Sequence, residues 1–384
     1  MNITFFSIPA WGHTNPTVEV VRQLTTRGHA VRYYTFKPFR SVLEEAGAGV
    51  ILCDEFLPPQ PADLDARVGK DFACLVEMVT DSTLALDEKV MADMTAFYPD
   101  VIVSDSVCFW GKLFARKLDI PYVCSTTSFA FNRHTAPMMK PKGRELLYSV
   151  LGLPRIGRCM KRLKAGGYQV ENFLNLIQND NDTDTIVYTS KAFQPMAETF
   201  SERYAFVGPS LPEIPKREEK ERPLVYVSMG TVVRGKPAFY HRCVEAFSGM
   251  DVDAVLSVGT EENLAVLGPL PGNVRAAARV DQLAVLSQAD AFLTHCGMNS
   301  ASEAIWCGVP TILYPQQSEE GAVADRVEQL GLGLRLKNES HIREAITTVL
   351  TEPAYRERTC AIGDTFRTAG GAQRAAEKIL DCIK

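Results

Sequence analysis

The chain has 384 residues, of which 46% are hydrophobic and 23% charged, and its formal net charge is −5. This length predicts two domains, and this composition excludes general disorder. The slight negative charge argues against nucleic acid or an anionic membrane as the main partner, so a bound anion must be held by local geometry.

The N-terminal segment and the cysteines predict the compartment. No Lys or Arg leads the first apolar run, which Gly12 and His13 interrupt, and no window contains the ~18 apolar residues of a membrane span. The ten cysteines show no CxxC pair and no zinc spacing, which is typical of reduced thiols. We therefore expect a cytoplasmic protein. The acidic run at 180–184 precedes a predicted strand, so we interpret it as a polar loop and predict no metal site.

The first half begins as a parallel α/β unit. Apolar residues recur at helical spacing after Pro16, and Gly28 ends that helix. Pro16 suits the first helical position, because the N–H group that it lacks would have no partner there. The pattern predicts a strand at 2–9, a loop at 10–15, this helix, and a strand at 30–35. Strand, helix and strand in this order are typical of a parallel sheet.

The same order of elements returns in the second half. It predicts a strand at 224–228, a loop at 229–237, a helix at 238–247 and a strand at 252–258. In addition, DVIVSD at 100–105 and DAFLTH at 290–295 each lead through a helix to a strand that follows a proline. The sequence therefore predicts two doubly wound α/β domains.

A proline-rich, mixed-charge segment at 208–223 predicts the linker between these domains. The domains expected on either side are residues 1–207 and 224–365, followed by a terminal helical segment at 366–384. The basic, glycine-broken stretch at 140–167 is either an insertion or a mobile region over a cleft.

Polar residues follow two predicted strands of the first half. In open α/β sheets, ligands bind at the carboxyl ends of the strands. His13 follows the first strand and Asp105 follows the strand that begins at 101. Because successive loops of a parallel sheet lie side by side, these two residues could form an imidazole held by a carboxylate, which is a general base.

The second half instead has small, donor-rich turns after its strands. These are Ser228–Thr231 and His295–Ser300, and a helix start at the latter would offer N–H groups to a phosphate. Glu303, further along that helix, could accept hydrogen bonds from a ribose. The chain contains neither the dinucleotide-binding motif GxGxxG nor the phosphate-loop motif GxxxxGK[ST]. Together, the two turns therefore favour binding of a nucleotide that is not a dinucleotide.

These motifs resemble a known family. The stretch 280–336, with THCGMNS at 294–300, GVP at 308–310 and PQQSEEG at 315–321, is similar to the nucleotide-sugar motif of UDP-glycosyltransferases. GHTNP at 12–16 resembles their acceptor-side start, and the likeness is greatest to bacterial macrolide and natural-product enzymes. It implies the GT-B fold, which has two Rossmann-like, doubly wound parallel-sheet domains facing across a cleft. The N-terminal domain would bind the acceptor and the C-terminal domain the donor, with the terminal helix packing back on the N-terminal domain.

The resemblance also implies roles for individual residues. His13 would be the catalytic base and Asp105 its partner. The donor would contact Ser228, Gly230, Thr231, Arg279, Val280, Gln282, His295, Gly297, Met298, Asn299, Ser300, Glu303, Glu319 and Glu320. Apolar residues near the acceptor loops are Trp11, Phe109, Trp110, Phe129 and Phe131, although core packing would equally explain them. Arg279 replaces the aromatic residue that usually stacks on the nucleotide base in the family. A guanidinium can also stack on a base, so we expect UDP as the nucleotide of the donor, while a thymidine nucleotide stays open.

The implied function is inverting, metal-independent transfer of a sugar from a nucleotide sugar to a hydroxyl of a small, apolar acceptor, without another cofactor. The alternatives are a nucleotide-sugar 2-epimerase of the same fold and a non-catalytic donor-binding auxiliary protein. Where the family has an acidic residue and Gln, this chain has Glu319 and Glu320, which predicts altered donor preference. The sequence does not define the oligomeric state.

Overall fold

The computed structural model describes residues 1–57, 71–135, 144–170, 179, 181–230 and 237–383, without the side chains of 144–150 and 318. The chain forms two compact units. The first unit comprises Met1–Ser190, Met196–Ser210 and Ala369–Lys384, and the second comprises Lys191–Pro195 and Leu211–Thr368.

The first unit is a parallel sheet with helices. Its strands are β1 (Asn2–Phe6), β2 (Ala30–Thr35), β3 (Gly49–Leu52), β4 (Val101–Asp105), β5 (Tyr122–Thr126), β6 (Asp184–Val187) and β7 (Tyr204–Phe206). Its helices are α1 (Trp11–Thr26), α2 (Arg40–Glu45), α3 (Phe72–Phe97), α4 (Phe109–Leu118) and α5 (Arg144–Ala165), with short 3₁₀ helices at Lys37–Phe39, Cys53–Glu55 and Ala197–Thr199.

The second unit repeats this architecture. Its strands are β8 (Leu224–Ser228), β9 (Asp253–Ser257), β10 (Val274–Ala277), β11 (Ala291–Thr294), β12 (Thr311–Leu313) and β13 (Gly333–Arg335). Its helices are α6 (Pro237–Phe247), α7 (Glu261–Ala265), α8 (Gln282–Gln288), α9 (Met298–Trp306), α10 (Ser318–Leu330), α11 (Ile342–Thr351) and α12 (Pro353–Arg367), with a 3₁₀ helix at Glu339–His341.

Both sheets have the strand order of a doubly wound fold. The first is β3-β2-β1-β4-β5-β6-β7 and the second is β10-β9-β8-β11-β12-β13, and all strand pairs are parallel. In each sheet the order reverses next to the unit's first strand, β1 or β8. Central strands such as β4 and β8 are fully buried because helices cover both faces. The predicted pair of doubly wound α/β domains is confirmed.

Helix α1 begins earlier than predicted, so the loop at 10–15 was wrong. The N–H groups of His13 and Thr14 both donate to the carbonyl of Ala10, and the helix starts at Trp11. Pro16 is therefore inside the helix, where it removes one backbone hydrogen bond. At the start of the helix, the Trp11 ring packs edge-on against Phe39 at 4.7 Å between centroids.

The last helix, α13 (Gly371–Asp381), belongs to the first unit. It packs on α1, and Ala375, Ala376 and Ile379 are fully buried in the core that includes β1. Lys378 also pairs with Asp184 at the start of β6. The chain thus returns to the first unit after completing the second.

Within the described residues, every helix is too short or too polar to cross a lipid bilayer. All ten cysteines lie in that part of the chain, and none forms a disulfide.

Candidate active site

His13 and Asp105 meet at the point where the first sheet reverses its strand order. Asp105 is the last residue of β4, and His13 lies in the first turn of α1, which follows the neighbouring strand β1. Loops leave such a point in opposite directions and open a crevice that commonly binds ligands in open α/β sheets.

The two side chains form a close pair. The Nδ1 atom of His13 lies 2.7 Å from Oδ2 of Asp105, while Oδ1 of Asp105 accepts the backbone N–H of Val107 at 2.8 Å. The Asp105 side chain is 1% exposed and that of His13 22%. Because a carboxylate only accepts hydrogen bonds, it favours the imidazole tautomer with its proton on Nδ1.

Thr127 is a further member of this group that the sequence reasoning missed. Its Oγ1 atom lies 3.1 Å from the same Nδ1 atom, and the side chain is buried. The residue directly follows β5, the strand beside β4, so the strand-end rule that selected His13 and Asp105 would have found it.

In the second unit, His295 is enclosed at the corresponding reversal between β8 and β11. A Cβ atom at Gly230 would lie 2.5 Å from Cε1 of this imidazole, and one at Gly297 would lie 2.6 Å from Nε2. Gly230 also has a φ of +71°, which side chains rarely adopt. The two glycines therefore make the space that the His295 ring occupies.

Burial sets the charge of His295. The residue is 8% exposed, and removal from water lowers its pKa to about 4, so the ring is neutral at neutral pH. Nδ1 is buried and has no partner of hydrogen-bond geometry in the described part of the chain. The nearby backbone of Ser228 offsets only part of the effect of burial on the pKa.

Helix α9 begins beside this ring. Its N-cap is Gly297, so no side chain caps the helix start, and Met298, Asn299 and Ser300 form the first turn. Asn299 and Ser300 are residue types that often cap helices, but here both lie inside the helix. Such a helix start suits an anion, because the first N–H groups have no intrahelical acceptor and lie at the positive end of the dipole.

A hydrogen-bonded network joins α8 to α9. Nε2 of Gln282 donates to Oε2 of Glu303 at 2.7 Å and to Oγ of Ser300 at 3.2 Å, and the hydroxyl of Tyr226 donates to Oε1 of Gln282 at 3.3 Å. The Gln282 amide is thus engaged with protein groups. Tyr226 lies within β8, where no motif marks it.

Glu303 has an unusual acidity. Burial raises its pKa to about 7, the hydrogen bond from Gln282 acts in the opposite direction, and the charge of Asp281 adds to the increase. The carboxyl group therefore changes its charge near neutral pH.

The adjacent acidic residues of α10 differ in environment. Glu319 is exposed, whereas Glu320 is 7% exposed and its Oε2 accepts the N–H groups of Gln316 and Gln317 at 2.6 and 3.0 Å. Glu320 and Gln317 form a capping box at the start of the helix. Glu320 is therefore held by the backbone.

The other predicted contacts divide by exposure. Phe109, Trp110 and Phe129 are 4%, 1% and 4% exposed, so these side chains are packed in the interior. Burial favours core packing for these three residues, and their expected contact with an acceptor stays a prediction. Trp11 is 38% exposed and Phe131 is partly exposed.

Among the residues predicted to contact the donor, Arg279 is exposed and Val280 is partly buried, both in the connection from β10 to α8. Thr231 lies outside the described residues. No group of three or more His, Cys, Asp or Glu side chains in the described part of the chain is arranged to hold a metal ion.

Comparison with known proteins identifies the class. Residues 241–379 match the family described as Erythromycin biosynthesis protein CIII-like, C-terminal domain. The whole chain is 33% identical to NDP-glycosyltransferase YjiC of Bacillus subtilis, covering 97% of that protein. It is 32% identical to demethyllactenocin mycarosyltransferase of Streptomyces fradiae, over 98% of this chain and 86% of that one.

Solved structures agree. The glycosyltransferase of kitacinnamycin superposes with a TM-score of 0.84 at 26% identity, covering 100% of this chain and 99% of that one. The calicheamicin glycosyltransferase CalG4 superposes with a TM-score of 0.76 at 30% identity, covering 100% of this chain and 98% of that one. The chain is therefore a glycosyltransferase with the GT-B fold. More particularly, it belongs to the NDP-glycosyltransferases of the natural-product type.

Proposed function

We propose that the protein catalyses inverting transfer of a sugar from a nucleoside diphosphate sugar, UDP-linked in the first instance, to a hydroxyl group of a small, largely apolar acceptor. The observation that supports this most is the 2.7 Å contact between His13 and the buried Asp105. The macrolide and other natural-product names of the relatives are consistent with such an acceptor.

In this proposal His13 is the general base. With the proton of Nδ1 directed to Asp105, Nε2 removes the proton of the acceptor hydroxyl as that oxygen attacks the anomeric carbon. The bond from this carbon to the diphosphate breaks, so the configuration at carbon inverts. Asp105 stabilises the imidazolium that forms, as in other imidazole–carboxylate pairs.

The leaving diphosphate gains negative charge, and the second unit has groups suited to it. The start of α9 offers backbone N–H donors, and the neutral His295 offers a ring N–H. Preorganised donors of this kind stabilise developing charge without a metal ion. Glu303 would accept hydrogen bonds from ribose hydroxyls, with Gln282 fixing its orientation.

The test is a transfer assay with a panel of UDP- and dTDP-sugars and apolar hydroxyl acceptors, in the presence and absence of EDTA. We expect product of inverted anomeric configuration, equal rates with EDTA, and a loss of about 10²–10⁴ in rate for His13→Ala. Near-normal turnover by His13→Ala would refute the mechanism. Conversion of the nucleotide sugar without acceptor would indicate a 2-epimerase, and binding without any turnover would indicate an auxiliary protein.

A further inference from the structure

Thr127 contacts the imidazole of His13 at the same nitrogen as Asp105 does. Its Oγ1 atom lies 3.1 Å from Nδ1 of His13, and Oδ2 of Asp105 lies 2.7 Å from that atom. Thr127 is 6% exposed, and the proposed reaction leaves it without a role. A buried hydroxyl is therefore directed at the ring that the reaction uses as its base.

The sheet fixes the position of this hydroxyl. Asp105 and Ser125 are paired in the register of β4 and β5, and Thr127 follows Ser125 by two residues. The carbonyl of Thr126 accepts the N–H of Tyr188 at 3.2 Å, which holds the end of β5 against the segment that follows β6. Thr127 is also β-branched, so rotation about its χ1 angle is restricted. The oxygen atom is thus in place before any substrate binds.

The chemistry of the three groups defines which of them donates. A carboxylate only accepts hydrogen bonds, so the proton between Asp105 and the ring belongs to Nδ1 of His13. Oγ1 of Thr127 then accepts from the same N–H group, which is shared between two acceptors. If Thr127 donated to Nδ1 instead, the ring proton would lie on Nε2, and that nitrogen could not remove a proton from the acceptor.

We infer that Thr127 is a positioning residue which, together with Asp105, fixes the orientation of the His13 ring for the proposed transfer, on which this inference rests. A ring held by one acceptor can still tilt about the line that joins the two bonded atoms. Two acceptors, carried by β4 and by the end of β5, restrict that tilt. Because a general base must lie within hydrogen-bond reach of the proton that it removes, a small tilt of the ring lowers the rate.

The test compares Thr127→Val with Thr127→Ser. The first change keeps the branched shape of the side chain and removes the oxygen, whereas the second keeps the oxygen. We expect Thr127→Val to lower the single-turnover rate of sugar transfer about tenfold, the value of one hydrogen bond to a group that becomes charged, while the affinities for donor and acceptor change by less than about twofold. Thr127→Ser should restore the rate to within about threefold of the wild type.

The matched control is Thr126→Val. Thr126 is also buried at the end of β5, but its Oγ1 atom lies 3.5 Å from Sγ of Cys124. This variant should transfer sugar like the wild type. Equal losses of rate in Thr126→Val and Thr127→Val would overturn the inference, because they would reflect packing alone. A loss confined to the affinities would overturn it in favour of a direct substrate contact.

A second measurement does not depend on sugar transfer. NMR of protein labelled with ¹⁵N-histidine shows which ring nitrogen carries the proton, and His13→Ala assigns the signal among the six histidines. We expect the proton on Nδ1 in the wild type, and about tenfold faster exchange of this proton with water in Thr127→Val. Unchanged exchange, or a wild-type proton on Nε2, would overturn the inference. If the wild type transferred no sugar, the proposed function would fail, and this measurement would still decide whether Thr127 holds the ring.

Discussion

Two histidines follow buried strands in equivalent places of the two units, and their surroundings give them different chemistry. His13 has a buried carboxylate at 2.7 Å, which stabilises a positive charge on the ring. His295 lies between Gly230 and Gly297, and burial holds its pKa at about 4. The first ring is suited to accepting a proton, whereas the second is suited to donating a hydrogen bond as a neutral group.

Glu303 predicts a pH dependence of donor binding. Its folded-state pKa of about 7 lies above the ordinary value of 4.5, so the carboxyl becomes protonated as pH falls through 7. A protonated carboxyl is a weaker acceptor for ribose hydroxyls. We expect the affinity for UDP-glucose, measured by calorimetry, to fall about three- to tenfold from pH 8 to pH 5.5.

The control for this prediction is Glu303→Gln, which keeps the shape of the side chain and does not titrate. Its affinity should be low and independent of pH over the same range. His295 does not interfere, because its pKa of about 4 lies below that range. If the affinity of Glu303→Gln for UDP-glucose changed with pH as that of the wild type does, the pH dependence would belong to another group.

Gly230→Ala is predicted to weaken binding of UDP, because Gly230 leaves the space that the His295 ring occupies. Gly230→Ala would place a Cβ atom 2.5 Å from the ring, so the imidazole must move. Gly249 has the same φ of +71° but nothing within 4 Å of its ideal Cβ position. Gly249→Ala therefore reproduces the backbone strain, about 1–2 kcal/mol, without the collision.

We expect Gly230→Ala to lose at least as much stability as Gly249→Ala in urea unfolding, because it adds the collision to the same strain, and only Gly230→Ala to bind UDP at least tenfold more weakly. Equal UDP affinity in the two variants would show that the position of the His295 ring does not matter for the donor.

At the scale of the elements, the sequence predicted what depends on local pattern. Strand ends, the parallel order and the pairing of His13 with Asp105 follow from periodicity and the geometry of open sheets. The start of α1 was missed because the prediction took Pro16 as the first helical residue, whereas the helix begins at Trp11, whose ring packs on Phe39 in a contact that local pattern does not reveal. Periodicity also cannot distinguish an aromatic that faces a ligand from one that faces the core, as Trp110 shows.

The start of α10 predicts donor selectivity. Glu320→Gln keeps a carbonyl oxygen for the backbone N–H groups of the capping box, so the helix should persist while the negative charge is lost. We expect the ratio of kcat/KM between different nucleotide sugars to change by about tenfold, the value of one altered hydrogen bond. The exposed Glu319→Gln is the matched control for charge. An unchanged donor ranking in Glu320→Gln would refute the role of this residue.

At the scale of the whole molecule, the last helix ties the end of the chain to the unit where it began. Ile379 is fully buried against the core of the first unit. Ile379→Ala should cost about 2–5 kcal/mol. Hydrogen exchange should then increase for the amides of α1 and β6 and stay unchanged for β8 and β11. Equal loss of protection in both units would show that they unfold together.

In the proposed reaction Asp105 acts through His13, and a double-mutant cycle measures whether the effect of one residue depends on the other. The single-turnover rate of sugar transfer is measured for wild type, His13→Ala, Asp105→Asn and the double variant at saturating donor. We predict that Asp105→Asn lowers the rate by about 10²-fold or more when His13 is present and by less than about threefold when it is absent. The same loss in both backgrounds would contradict a shared role and leave the pair as a structural contact.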